Sequence, residues 1–117
     1  MTQTKIKTRK TKKKTAISPR EADIQRAILD WLGWKHIFHY RQNTGAFQTE
    51  RGGFYRFGTP GAPDIVCVVN GRYIGIEVKR ATAKPTTTQA AFGEALEKAG
   101  GQYILARCVE DVIHTLA

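Results

Sequence analysis

At 117 residues, 41% of them hydrophobic, the chain has the size and composition of one compact domain with one core. Its two cysteines are too few for a disulfide scaffold and lack metal-ligand spacing, and no apolar run approaches the roughly 18 residues of a membrane span. The net charge of +9 is uneven: residues 1–17 carry seven Lys/Arg and no acid, whereas residues 18–117 carry twelve Lys/Arg against ten Asp/Glu.

The first 17 residues, with Lys5, Lys7, Arg9, Lys10, Lys12, Lys13 and Lys14 among threonines, read as a disordered basic tail. Such arms lie along nucleic-acid phosphates; a solubilising extension is the alternative. No apolar core follows the basic start, so no secretory signal is expected, and a reducing cytoplasm is the expected compartment. Ser18-Pro19-Arg20-Glu21 predicts a helix start, with Ser18 as N-cap, Pro19 at the first helical position and Glu21 completing a capping box. Ile24, Ala27, Ile28, Trp31 and Leu32 recur at helical spacing, and Gly33 is the expected end. Glu21 is either a cap alone or a carboxylate near the buried stripe that reaches a site.

Residues 36–41 read as a first strand, in which His36 and His39 face opposite ways and suit no shared ligand role. Residues 43–62 form a long irregular stretch with five glycines, and Gly52-Gly53 offers a turn for a short hairpin within it. Arg41, Asn43, Arg51 and Arg56, with Phe47, Tyr55 and Phe57, supply basic and stacking groups for a nucleic-acid backbone and unpaired bases. An ordinary surface loop is the other reading.

Next comes the segment with the most information. Asn70-Gly71 lies between two β-rich runs, residues 65–69 and 72–78, which is the signature of a two-residue type I′ hairpin. If those two residues are the whole turn, Val69 pairs with Arg72 and Asp64 falls opposite Glu77. Directly opposed side chains have Cβ atoms about 4.5–5.5 Å apart. Lys79, two residues beyond Glu77, shares its face. Ile65, Cys67, Ile74 and Ile76 make the other face, which is core.

After a linker at residues 82–85, Thr86-Thr87-Thr88-Gln89 is a second capping box. Its helix runs to about Ala99, with Phe92, Ala95, Leu96 and Ala99 inward and Gly100-Gly101 closing it. Gln89 is either a cap residue or one that faces the site. Gln102–Ala106 is a further strand, able to pair in parallel after the helical crossover. Val109, Val112, Ile113 and Leu116 mark a short last helix, with His114 outward. Cys67 and Cys108 read as small buried hydrophobes. The expected order is α-β-β-β-α-β-α, an α/β (α+β mixed) fold with a mixed central sheet flanked by helices.

Two close carboxylates repel unless a cation or a proton sits between them. A hard divalent ion, Mg²⁺ or Mn²⁺, held by one or two carboxylates with waters and phosphate oxygens, removes the conflict. A protonated lysine beside it can hold an attacking water or a developing phosphate charge. The competing reading is a solvated Asp/Lys/Glu ion pair. Asp64 at a Gly-Ala-Pro corner, and Glu77 inside an apolar strand, favour the metal site of a phosphodiesterase.

Gly61-Ala62-Pro63-Asp64, Glu77-Val78-Lys79 and Gln89, after an N-terminal helix carrying Glu21, resemble the PD-(D/E)xK nuclease superfamily. Within it the chain is most similar to the VRR-NUC (virus-type replication-repair nuclease) family, in the short stand-alone form of phages and bacteria. The opening at residues 18–25, Arg41-Gln42-Asn43-Thr44-Gly45 and Ala99-Gly100-Gly101-Gln102-Tyr103 fit as well, so the resemblance covers residues 18–117. It implies a restriction-endonuclease-like core, with Asp64, Glu77 and the Val78 carbonyl on the metal. It further implies Lys79 acting on the water and the transition state, Glu21 reaching the metal through a water, and Gln89 positioning Lys79 or the waters. Short members resemble homodimeric Holliday-junction resolvases, and archaeal-type junction resolvases share the core; single copies joined to other domains resemble flap nucleases. The expectation is a Mg²⁺- or Mn²⁺-dependent DNA endonuclease selecting branched DNA by shape, acting as a homodimer in the cytoplasm of a bacterial or phage-infected cell. The alternatives are a flap or restriction-like endonuclease, or a non-catalytic DNA-binding module.

Overall fold

The computed structural model describes residues 19–42 and 45–117. The basic tail, Ser18 and Asn43 therefore lie outside the described residues. Asn70 and Gly71 both take positive φ, 52° and 79°, as a type I′ turn requires. Strands β4 (Ile65–Val69) and β5 (Arg72–Val78) pair through this turn with Val69 opposite Arg72 and Ile65 opposite Ile76, the expected register. On the outer side of β4, β1 (Phe38–Arg41) pairs antiparallel, with Arg41 opposite Ile65. On the outer side of β5, β6 (Gln102–Ala106) pairs in parallel, with Glu77 opposite Leu105. The result is a four-stranded mixed sheet in the order β1-β4-β5-β6.

Three helices flank it. Helix α1 (Glu21–Trp34) and helix α3 (Val109–Leu116) cover one face. Ile24, Ile28 and Leu32 of α1 and Val112 of α3 are buried there with Ile65, Cys67, Ile74, Ile76, Ile104 and Ala106. Helix α2 (Thr87–Lys98) covers the other face. It approaches so closely that a Cβ on Gly93 would lie 2.7 Å from the Tyr103 ring. Among the described residues, no helix is long and apolar enough to cross a membrane.

Several local expectations are corrected. Helix α1 begins at Glu21 with Arg20 as N-cap and no side-chain cap, so Pro19 precedes the helix and Glu21 is not the third residue of a capping box. The helix also passes Gly33. It closes where His36, at φ 58°, donates its N–H to Gly33 O and Ile37 donates to Leu32 O, a Schellman motif with histidine in the left-handed position. That is why the first strand starts at Phe38 and not at His36.

Residues 45–57 are more regular than expected. Strands β2 (Gly45–Gln48) and β3 (Phe54–Phe57) form a separate two-stranded sheet, with Gly52 at φ 85° in the turn. In α2 the inward side is Phe92, Gly93 and Leu96, whereas Ala95 and Ala99 are exposed. Cys67 is buried as expected, but Cys108 is exposed, because it stands outside α3 as its N-cap.

Candidate active site

Asp64 and Glu77 meet at the end of the sheet away from the Asn70-Gly71 turn. The corner before Asp64 is fixed by Gly61, at φ 81°, whose missing Cβ would lie 2.5 Å from the Thr88 carbonyl oxygen. Only glycine takes this turn against the start of α2. Ala62 and Pro63 are buried behind it. Asp64 then closes the hairpin with its side chain: Oδ2 accepts the Val78 N–H at 2.8 Å. Its own carbonyl accepts the Gln42 N–H at 2.8 Å, which extends the pairing with β1.

Glu77 is 2% exposed. Its Oε2 accepts a hydrogen bond from Gln89 Nε2 at 2.9 Å, and its Oε1 is buried without a partner among the described residues. Burial, and then the charge of Asp64, push the Glu77 carboxyl up from its ordinary 4.5 to about 8. Burial raises Asp64 too, while the Val78 N–H works against the rise. The pair therefore sits where two negative charges are not tolerated without a cation or a proton.

Gln89 serves both of its expected roles at once. Its backbone N–H donates to Thr86 Oγ1 at 3.1 Å and its Oε1 accepts the Thr86 N–H at 2.9 Å, a complete capping box. The other end of the same amide holds Glu77. Lys79 is half-buried, its N–H bonded to Ala106 O at 3.0 Å. Its positive charge lowers both Asp64 and Glu77, yet among the described residues it forms no ion pair within 4.0 Å. Glu21 is exposed at the start of α1, and its negative charge raises both carboxyls, which places it at the same end of the sheet.

The fit of a divalent cation follows from the donor set. Two buried-side carboxylates, one with an orphaned oxygen, match the one or two carboxylates such an ion takes from protein. The Val78 carbonyl belongs to the residue whose N–H already fixes Asp64. No three His, Cys, Asp or Glu side chains cluster as a cation site among the described residues.

Of the sequence-predicted residues, the fold gathers Asp64, Glu77, Val78, Lys79, Gln89 and Glu21 at one sheet end, with Arg41 at the end of β1 beside them. Arg51 and Arg56 are exposed on the separate β2–β3 hairpin, as are Phe54 and Tyr55. Lys12, Lys13, Lys14 and Asn43 lie outside the described residues.

Two residues near the site were not expected from sequence. Tyr103 shares the face of Glu77; its hydroxyl is buried without a partner among the described residues, and burial together with the charges of Glu77 and Asp64 pushes it up to about 12. The available signal was Gly93, a lone glycine inside a helical pattern, which marks a close approach. Arg107 Nη1 donates to the carbonyls of Arg80, Ala81 and Ala83 at 2.7–2.8 Å and shapes the linker that leaves Lys79. Comparisons of the chain with family models, with curated proteins and with solved structures gave no match.

Proposed function

We propose that the chain is a Mg²⁺- or Mn²⁺-dependent DNA endonuclease of the PD-(D/E)xK type, similar to the VRR-NUC family, that hydrolyses phosphodiester bonds in branched DNA. The observation that carries this reading is the Asp64–Glu77 pair, with Glu77 buried, raised to about 8 and holding one unpaired oxygen. A structural ion cluster would set a Lys or Arg within 4.0 Å of these carboxylates, and none is so placed among the described residues; a DNA-binding surface gains nothing from acids facing phosphate.

Asp64 and Glu77 would hold the ion, with the Val78 carbonyl alongside. When bound, a divalent cation polarises a phosphoryl oxygen and lowers the pKa of a water to near neutral. The chain's own groups do the remainder. The Val78 N–H fixes Asp64, and Gln89 fixes Glu77. Lys79, without a carboxylate partner within 4.0 Å among the described residues, is left to orient the attacking water and to meet charge developing on the phosphate. Glu21 adds a negative charge that favours cation capture.

A domain of this size has little room for a base-reading module, so shape selects the substrate, and two copies would cut two strands symmetrically. The basic arm adds phosphate contacts, and the working compartment is the cytoplasm. A second reading, a flap endonuclease, is favoured by the β2–β3 hairpin: exposed Phe54 and Tyr55 beside Arg51 and Arg56 suit unpaired bases.

The test is cleavage of a panel of four-way junction, flap, nicked and linear DNA with Mg²⁺, with Mn²⁺ and in EDTA. Metal-dependent cleavage of the junction above the other forms supports the first reading, and preference for the flap supports the second. Binding without cleavage under every condition would leave only a DNA-binding module.

A further inference from the structure

A cavity of about 360 Å³ lies between α1 and the edge strand β1, lined by Ala22, Gln25, Arg26, Leu29, Asp30 and Arg41. We propose that it is a subsite for one non-scissile phosphodiester of the strand being cut, gripped by the guanidiniums of Arg26 and Arg41; this rests on the nuclease reading.

Position is the first argument. Arg41 pairs with Ile65, the neighbour of Asp64, and the next residue, Gln42, donates its N–H to the Asp64 carbonyl. On the other wall, Ala22 follows Glu21, whose charge reaches both Asp64 and Glu77. Both walls therefore lead directly to the acidic pair. A strand whose scissile phosphate lies at Asp64 and Glu77 passes the cavity with a neighbouring phosphate.

Helical spacing is the second. Ala22, Gln25, Arg26 and Leu29 stand at i, i+3, i+4 and i+7, so they line one face of α1. Ala22 leaves the room, Gln25 adds an amide, and Arg26 projects from the same face towards the side on which Arg41 closes the cavity.

Charge is the third. Neither arginine makes an ion pair or a side-chain hydrogen bond among the described residues, although Asp30 lines the same cavity. Guanidiniums present a planar fork of donors that matches phosphate oxygens. Asp30 offsets one of the two positive charges. The remainder suits a phosphodiester, which carries one negative charge, over a polyphosphate.

The experiment measures DNA affinity of the full chain by fluorescence anisotropy, in EDTA and across a salt series, with a labelled four-way junction. The variants are Arg26→Gln, Arg41→Gln, the double variant, the charge-keeping Arg26→Lys, and Lys98→Gln as a control at the far end of α2. Circular dichroism confirms that each is folded. One phosphate lost lowers the slope of log K against log salt by about 0.9. The expected result is a slope lower by about that amount in the double variant, and the wild-type slope in Arg26→Lys and Lys98→Gln. The wild-type slope in a folded double variant would overturn the subsite, as would an absence of DNA binding by the wild type. A lowered slope in a chain that cleaves no DNA with Mg²⁺ or Mn²⁺ would keep the subsite and remove the nuclease.

Discussion

Gln89 joins the start of α2 to the acidic pair with a single amide: Oε1 accepts from the Thr86 N–H, and Nε2 donates to Glu77 Oε2 at 2.9 Å. Helix capping and the aim of a site carboxylate are thus one interaction. Gln89→Ala removes the cap and leaves Glu77 Oε2 unpaired, so it should cost about 2 kcal/mol of stability. Gln89→Glu keeps the capping box but sets a third carboxylate against Glu77. Denaturant unfolding should rank wild type above Gln89→Ala. Both variants should lose cleavage; retention of full cleavage by Gln89→Glu would show that this contact does not aim Glu77.

The raised Glu77 pKa fixes how stability follows pH. Unfolded, the residue ionises near its ordinary 4.5; folded, near about 8. Between these values the folded state keeps a proton that the unfolded state has lost, so stability falls as pH rises. The contribution is fully present below the unfolded value of 4.5 and gone above the folded value. Asp64, also raised, acts in the same direction, Glu21 reinforces both, and Lys79 moderates them. Thermal unfolding in EDTA should therefore show a midpoint that declines from pH 5 to about pH 8. Glu77→Gln should flatten the decline, and Mg²⁺ should oppose it by taking the place of the proton. A midpoint rising over that range in EDTA would contradict the placement of Glu77.

Removing the Tyr103 hydroxyl relieves a buried polar group with no partner among the described residues. Tyr103→Phe keeps the ring that packs on Gly93 and should stabilise the fold by about 1 kcal/mol. Chemical denaturation measures this directly. A loss of stability would mean that the hydroxyl is satisfied.

How far the sequence carried these conclusions differs by residue. The β4–β5 register was legible because Asn-Gly is suited to two successive positive φ angles, and that register delivers Asp64 to Glu77. A parallel pairing of the last strand with the sheet was expected, but its partner and register depend on how α2 packs, so Tyr103 could not be placed beside Glu77 from local pattern. Gln89 left two roles open, since nothing in a helix-start motif says which way the spare amide end points. The β2–β3 hairpin was hidden by short strands dispersed among glycines, and only its Gly52-Gly53 turn was visible. Arg26 lies outside the apolar stripe of α1 and no motif singles it out; its relation to Arg41 exists only once β1 lies against that helix.

Lys79 and Asp64 should separate chemistry from binding. Lys79→Ala should lower the cleavage rate by about 10²–10³-fold with cation affinity retained, because the ammonium acts on the water and the transition state. Asp64→Asn should lose metal-dependent cleavage while metal-free DNA binding holds or improves, because a negative charge near phosphate is gone. Single-turnover kinetics beside anisotropy in EDTA tests both. Wild-type cleavage by Asp64→Asn would place the active site elsewhere.

The claim that Asp64 and Glu77 together hold a divalent cation is tested most directly by calorimetric titration of Mn²⁺ into the wild type and Glu77→Gln at pH 7, in two buffers of different ionisation enthalpy. A Glu77 that holds its proton at that pH must release it when the cation binds. The account predicts saturable binding to the wild type with a heat that changes between buffers, and loss of that binding in Glu77→Gln. Equal Mn²⁺ binding by the two proteins, with no buffer dependence, would contradict it.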